Sequence, residues 1–340
     1  MISVVIPSYN HAAFIGEAVE SVLRQTYSNL ELIIIDDGSK DHSVEVIKQF
    51  RDPRIKLITQ ENAGAHNAIN RGMAEAKGEL IAILNSDDRF AADRFEKLIE
   101  YFKRDPELGL ACTYLNLIDV NGNQMARKRG WENLEPWPLP DKSKSFTRFS
   151  HFPSQLICGN FVATTSNMLF RKEVLNEVGG GMANLRFSHD WDFALRVALK
   201  FRCTLVPEFL MDYRLHGSNT IRTNQAWLNV ENAWIWATYL PKVVSNLMAN
   251  RKELGIEKSD IVESFYSSAN FLKLEPLILL IRSLSESEGQ SILENPEMLQ
   301  LLINASKQHH TEIEPKRIGI RGPAAALRGA VQKVRRLVQS

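Results

Sequence analysis

Over the first 110 residues one pattern recurs: a short β-branched apolar run, a polar cluster, then apolar positions at helical spacing. Residues 2–6 (ISVVI) are followed by PSYN. Phe14, Ala18 and Val22, with Ile15, Val19 and Leu23 beside them, then mark one helical face. Asn10 stands where an N-cap belongs. Residues 30–35 (LELIII) are apolar almost throughout, as expected of a strand covered on both faces, and end in DDGS. The same rhythm predicts a helix over 41–50, a strand over 55–58, a helix over 65–76, a strand over 80–84, a helix over 93–102 and a strand over 108–115. Strands alternating with helices imply right-handed crossovers, hence an α/β fold whose mostly parallel, Rossmann-like sheet is flanked by helices.

In such sheets ligands gather outside the carboxyl ends of the strands. Here those ends read SYN, DDGS, QENAG and NSDD. Polar turns after strands are ordinary and account for the Ser, Asn and Gly positions, but they account poorly for two Asp-Asp pairs. Carboxylates held together repel unless a cation sits beside them. Asp87 and Asp88 therefore suit a divalent ion, Mg²⁺ or Mn²⁺, which takes oxygen ligands and keeps positions open for substrate phosphates. The plainer alternative is that one of the two caps the helix that follows. At the second pair, DDGSKD reads as a turn with Gly38 at positive φ and Asp41 as N-cap, which leaves one carboxylate for the rim. A carboxylate there can accept from the imide N–H of a uracil or thymine ring.

Beyond residue 120 the rhythm changes. Residues 121–153 contain WENLEPWPLPDKSKS and read as a long loop over the sheet, of a length that is usually functional. Strand and helix signals return over 161–213. After Arg222 the pattern is helical, over 227–248, 261–271, 277–284, 296–305 and 324–338. A boundary near residue 222 thus separates residues 1–222, with a nucleotide-binding part to about 120 and an acceptor part beyond it, from a helical C-terminal region, 223–340. Lys and Arg total 41 against 40 acidic residues in a chain of 340, so no global field draws the protein to nucleic acid. Cys112, Cys158 and Cys203 are widely spaced and odd in number, which suggests neither a disulfide framework nor a zinc site and points to a reducing cytoplasm. Met1 opens straight into a strand-like run without the marks of a signal peptide. The run PLILLI, 276–281, is far shorter than the ~20 residues of a membrane span.

Three ordered stretches carry a family resemblance: VVIPSYNHAAFIGEAVESVLRQTYSNLELIIIDDGSKDHS, NAGAHNAINRGMAEAKGELIAILNSDD and SHDWDFALRVA. Together they resemble the family 2 glycosyltransferases, inverting nucleotide-sugar enzymes of GT-A fold, over about two-thirds of the chain. The resemblance implies that Pro7, Ser8, Tyr9 and Asn10 border the nucleotide, with Tyr9 near the base. It implies that Asp37 binds the uracil imide, that Asp36 lies near base or ribose, and that Asn62, Gly64, Ala65 and Asn67 line the cleft. The family's Asp-x-Asp segment falls on Asn85, Ser86 and Asp87, followed by Asp88. Asn85 departs from the usual Asp, so metal binding passes to Asp87 and Asp88, and restoring Asp at 85 is the first test to make. The base falls on Asp190, with Asp192 one step further and His189 in place of an acidic neighbour. An N-cap role is the alternative for Asp190. YRLHGSN resembles a late segment whose basic residues approach the diphosphate, so Arg214 is placed to neutralise the leaving group, and His216 to do the same or to bind the metal.

The implied reaction moves a sugar from a nucleoside-diphosphate donor, by family grounds a UDP-sugar, to a hydroxyl of a glycan or lipid-linked acceptor in bacterial-type surface polysaccharide synthesis. Residues 121–153 and 160–168 shape the acceptor side. Two rivals stand beside it. A sugar-phosphate nucleotidyltransferase needs a Gly-rich basic loop after the first strand, where this chain has PSYNHAAF. A binding protein that has kept the cleft and lost catalysis is motivated by Asn85 and His189. In the tail, Leu327, Val331, Val334 and Val338 share a face ringed by Arg328, Lys333, Arg335 and Arg336. A basic amphipathic helix over 316–340 suits the anionic inner surface of a membrane, and packing on neighbouring helices suits it equally. Trp227, Trp234, Trp236 and Tyr239 have helical spacing and belong to a core or a subunit interface, as in a homo-oligomer, rather than to a sugar platform.

Overall fold

Strand β1 (Ile2–Ser8) shows how the sheet is built. Ile2, Val4 and Ile6 enter one core while Val5 enters another, because successive side chains of a strand leave on opposite faces. Strand β2 (Leu30–Asp36) divides the same way, Leu30, Leu32 and Ile34 to one side and Ile33 and Ile35 to the other. A strand buried on both faces has no room for polar alternation, which is why both runs read as continuously apolar. The computed structural model describes residues 1–130, 150–216, 225–257, 260–261 and 300.

The remaining elements are α1 (Ile15–Leu23), α2 (Ser43–Gln49), β3 (Ile55–Thr59), α3 (Ala65–Glu75), β4 (Leu80–Ile83), β5 (Arg89–Phe90), α4 (Arg94–Arg104), β6 (Leu108–Ile118), β7 (Gln124–Lys128), α5 (Phe152–Cys158), a 3₁₀ turn (Thr165–Asn167), β8 (Leu169–Arg171), α6 (Val174–Glu177), α7 (His189–Ala198), β9 (Arg202–Arg214) and α8 (Gln225–Asn250). Their sheet order is β3-β2-β1-β4-β8-β6-β9-β5, with β7 on β6. The first four strands pair in parallel, as do β6 and β9, and β8 joins the two halves in antiparallel pairing. The fold is thus the α/β sheet flanked by helices that the alternation predicts. Helices α1, α2 and α4 cover one face through residues such as Val19, Ile47 and Phe95, and α3, α5, α7 and α8 cover the other through Ile69, Leu156, Phe193 and Trp236. Helix α3 lies so close to β1 that a Cβ on Gly72 would stand 2.3 Å from Val5 Cγ1.

One expectation changes. Residues 121–153 are not all loop, since Gln124–Lys128 form an edge strand on β6. The stretch 131–149, the helices expected over 261–271, 277–284, 296–305 and 324–338 apart from residues 261 and 300, the PLILLI run and the basic tail lie outside the described residues. Helix α8, placed beyond the expected boundary at 222, shares one core with α5 and α7 through Ile235, Trp236, Tyr239 and Val243. Among the described residues no helix is long and apolar enough to cross a membrane.

Candidate active site

The register assembles the rim. Ser8 lies opposite Asp36, and Asp36 opposite Thr59, so three strands end in one row. The next residues, Tyr9, Asp37 and Gln60, start the loops above it, and β4 delivers Asn85–Asp88 alongside. Tyr9 is 44 % exposed, an open aromatic face at the end of β1.

Most of the acidic groups are already committed to holding these loops. Asp36 accepts from Ser39 N (3.0 Å) and Ser39 Oγ (2.6 Å), which folds the turn where Gly38 takes a φ of 75°. Asp37 accepts from Gln60 Nε2 (2.6 Å), Ala63 N (2.9 Å) and Gly64 N (2.8 Å), and so fixes the loop into α3. Gly64, at φ 92°, is the residue before that helix; Asn62, Ala65 and Asn67 stand exposed beside it. Asn10 does not cap α1, which begins five residues later. It sits at φ 53° and its Oδ1 accepts from Lys40 N at 2.7 Å, tying the first loop to the second.

The metal-side residues are redistributed. Asp88 turns inward, 1 % exposed, with Oδ1 accepting from Arg214 N (3.0 Å) and Oδ2 from Ser166 Oγ (2.6 Å). Burial, and then the charge of Asp87, push its pKa well above the ordinary carboxylate range. Arg214, expected beside the diphosphate, likewise turns inward. Fully buried, it donates to Asp87 O, Asp119 O, Val120 O and Glu17 Oε2, and thereby holds the main chain of Asp87 in place. Asn85 spends both ends of its amide on Thr164 and Thr165, each at 2.8 Å, and so turns away from the rim. These side chains face inward because β4 runs into the 3₁₀ turn, whose hydroxyls are the nearest partners.

What remains at the rim is a cluster of three. One ligand atom each from His11, Asp87 and His216 lie within 4.8 Å of one another. His216 Nε2 is 2.9 Å from Asp87 Oδ2, the two imidazole centroids are 5.7 Å apart and near perpendicular, and Ser86 Oγ bonds His11 Nδ1 at 2.7 Å. Burial holds His11 below its usual pKa against the pull of Asp87, which favours the neutral, ligating form. Two imidazoles and a carboxylate fit a divalent transition ion such as Mn²⁺ better than Mg²⁺, which prefers an all-oxygen shell. His11 was missed in the sequence; its signal was a histidine directly after the PSYN strand end.

Asp190 stands in the first turn of α7, 6 % exposed, accepting from Trp191 N (2.7 Å) and Asn160 Nδ2 (3.2 Å). Burial raises its pKa, partly opposed by His189. Asn160 also accepts from Ala163 N (3.1 Å), where φ is 71°. Asp192 is not a rim group: it is buried, paired with Arg196 at 2.8 Å and accepting from the Tyr239 hydroxyl. His189 Nδ1 lies 3.2 Å from Leu185 O. Burial, and then the charges of Asp88, Asp87 and Asp190, push the pKa of the Tyr213 phenol up.

The family profile described as Glycosyl transferase family 2 matches residues 3–179. The chain is 29 % identical over 295 residues to the glycosyltransferase GlyG of Streptococcus pneumoniae, covering 85 % of this chain and 92 % of that one. In three dimensions it is similar to residues 1–349 of S. aureus TarS in complex with UDP-GlcNAc, with a TM-score of 0.52, 14 % identity and coverage of 91 % and 92 %. It is also similar to the mannosyltransferase PcManGT of Pyrobaculum calidifontis in complex with GDP-Man and Mn²⁺, with a TM-score of 0.50, 17 % identity and coverage of 98 % and 79 %. A glycosyltransferase profile spanning more than half the chain, on a sheet whose carboxyl edge gathers the polar groups, identifies this protein as a member of glycosyltransferase family 2.

Proposed function

We propose that the protein transfers a sugar, with inversion, from a UDP-sugar to a hydroxyl of a glycan or lipid-linked acceptor. The observation that carries this reading is Asp190: a buried carboxyl with raised pKa, on a helix start, bonded to Asn160 at the head of the segment whose Thr164–Ser166 hydroxyls bond Asn85 and Asp88 beside the metal cluster. A base poised nearer neutrality than an ordinary carboxylate suits proton removal from an alcohol. Asp190 takes the acceptor's hydroxyl proton as that oxygen forms a bond to the anomeric carbon. The bond from that carbon to the diphosphate oxygen breaks on the opposite face, and the nucleoside diphosphate leaves with the electron pair.

His11, Asp87 and His216 would hold the divalent ion, with Mn²⁺ favoured by the two imidazoles. When bound, it offsets the charge that develops on the leaving diphosphate. Tyr9 offers its face to the base. Three of the four acceptor positions of Asp37 are taken, which leaves one on Oδ2 for an imide N–H. Binding of UDP-GlcNAc by TarS supports the choice of a UDP-sugar, and GDP-Man on PcManGT keeps GDP-sugars in the test.

The test is release of nucleoside diphosphate from a panel of UDP-, dTDP- and GDP-sugars with Mn²⁺, with Mg²⁺ and with chelator. Release should be greatest with a UDP-sugar and Mn²⁺. Asp190→Asn should lower it roughly 10²- to 10⁴-fold while donor still binds. Binding of donors without turnover under every condition would favour the non-catalytic reading, and unchanged turnover in Asp190→Asn would remove the base assignment.

A further inference from the structure

One acid stands in the aromatic helix α8. Glu231 is 1 % exposed and has no cationic side chain among its hydrogen-bond partners. Its Oε1 accepts from Arg186 N (2.8 Å) and from Trp227 Nε1 (3.0 Å), and its Oε2 from Phe187 N (2.9 Å) and Ser188 N (2.9 Å). Four donors fill the four acceptor positions of the carboxylate. Three of them are consecutive main-chain amides of the turn that enters α7, and Asn232 adds a contact to Ser188 Oγ at 3.1 Å. Ser188 O in turn accepts from Asp192 N (2.9 Å), closing the first turn of α7 around Asp190.

A buried carboxylate is costly, and an apolar residue would pack into α8 more cheaply. What the carboxylate achieves is specific: it gathers three amides that would otherwise be unpaired at a helix start. Released, they could turn to Asp190, two residues beyond them, whose carboxylate has two hydrogen-bond donors among the described residues. Donors turned toward Asp190 would lower its basicity as well as move it.

We propose that Glu231 is a positioning residue for Asp190: from α8 it fixes the 186–188 turn, and so sets where the base stands in the cleft. The proposal rests on Asp190 being the base. It joins α8 to the chemistry, although the helix contributes no group to the reacting atoms.

The test compares Glu231→Gln, Glu231→Asp, Trp227→Phe and Asp190→Asn in the full chain. Glutamine keeps the volume but sets an NH₂ against two donors, and aspartate keeps the charge one methylene short. Phenylalanine at 227 removes the indole donor and leaves the three amides held. The readouts are kcat and KM for UDP release from UDP-N-acetylglucosamine with Mn²⁺, UDP affinity by calorimetry, and titration of the Asp190 carboxyl carbon in ¹³C-aspartate-labelled protein, assigned with Asp190→Asn.

Glu231→Gln should lower kcat roughly 10- to 100-fold, as a misplacement on the order of 1 Å can, with UDP affinity within about two-fold. The Asp190 signal should titrate at lower pH than in the wild type. Glu231→Asp should recover part of the rate and Trp227→Phe nearly all of it. A folded Glu231→Gln with unchanged kcat and unchanged Asp190 titration overturns the proposal, as does a loss in Trp227→Phe equal to that in Glu231→Gln. If glutamine prevents folding, wild-type behaviour of Glu231→Asp overturns it. If UDP-N-acetylglucosamine is not turned over, the Asp190 titration alone decides. Full activity in Asp190→Asn would refute the base assignment instead, a result distinct from these.

Discussion

Arg94, the first residue of α4, is fully buried and, among the described residues, has no carboxylate within hydrogen-bonding reach. Its Nη1 donates to Thr113 Oγ1 (2.8 Å) and weakly to Leu210 O (3.5 Å), while Nε and Nη2 have no partner. Burial pulls its pKa from the ordinary arginine range down to about 9. A fall of that size corresponds to about 5 kcal/mol against the charged form at neutral pH. Arg94→Met removes this cost. It forfeits about 1–2 kcal/mol for the Thr113 bond and a similar amount for the guanidinium 4.8 Å above the Phe90 ring. No group is orphaned, because Thr113 Oγ1 keeps Asn167 and Tyr114 as partners and Leu210 O keeps Ala91 N.

The variant should therefore be more stable by about 1–3 kcal/mol at pH 7, read as a higher urea midpoint at equal slope. The sign with pH follows from proton counts. Above the folded value near 9 and below the ordinary arginine range the unfolded state binds more protons, so the wild type gains stability as pH rises. The advantage of methionine should shrink by about 2 kcal/mol on going to pH 10.5. Glycosyl transfer should be unaffected, since Arg94 lies beneath the sheet. A loss of stability greater than about 1 kcal/mol, or a difference that ignores pH, would refute this account of an uncompensated buried charge.

Three further outcomes follow from the site. Asp190 holds its proton more tightly folded than unfolded, so its stabilising contribution exists at low pH and is lost as pH rises through the raised value. Asp190→Asn should then melt higher than wild type at pH 7 and equal to it near pH 3, while the wild-type rate climbs through the same raised pKa in a pH–rate profile. Ala163, at φ 71°, occupies the left-handed region, and Ala163→Gly should stabilise the protein by about 1 kcal/mol in urea unfolding; equal midpoints would mean the loop relaxes freely. Asn85→Asp places a third acid beside Asp87 and buried Asp88 without entering the metal cluster, and should cost about 1 kcal/mol with no gain in Mn²⁺ affinity by calorimetry. A ten-fold tighter ion would show that Asn85 stands in a ligand position after all.

The sequence was most legible where one physical requirement acted alone. Strands β1 and β2 must be apolar on both faces, and their runs located them to within two residues. It was less legible where several partners compete for one polar group. NSDD announces charge at a strand end, but which carboxylate faces out depends on Ser166, 78 residues later, and on the amide of Arg214. The arginine beside the diphosphate motif reads as a free cation until β9 is seen to bury it under Asp87. His11 carried too little local pattern to stand out, because its companions come from β4 and from the end of β9. Glu231 had a signal, an acid four residues after Trp227 inside an apolar helix, whose meaning lies in the amides it meets.

The pairing of β6 with β9 sets a timetable for synthesis. Leu108 lies opposite Arg202 and Ile118 opposite Arg214, so each β6 residue waits for a partner more than 90 residues downstream. At elongation rates of about 5–20 residues per second, that interval is roughly 5–20 s. Strands β1 to β4 are by then complete, while the 11-residue, largely apolar β6 presents one unpaired edge to the ribosome's surroundings. An edge of that length invites pairing with another nascent chain. The family match ends at residue 179, before β9 exists, so a chain cut there keeps every residue the profile matches and lacks the strand that closes the sheet. The segment the profile matches and the length that leaves the ribosome with β6 paired on both edges are different stretches of the same protein.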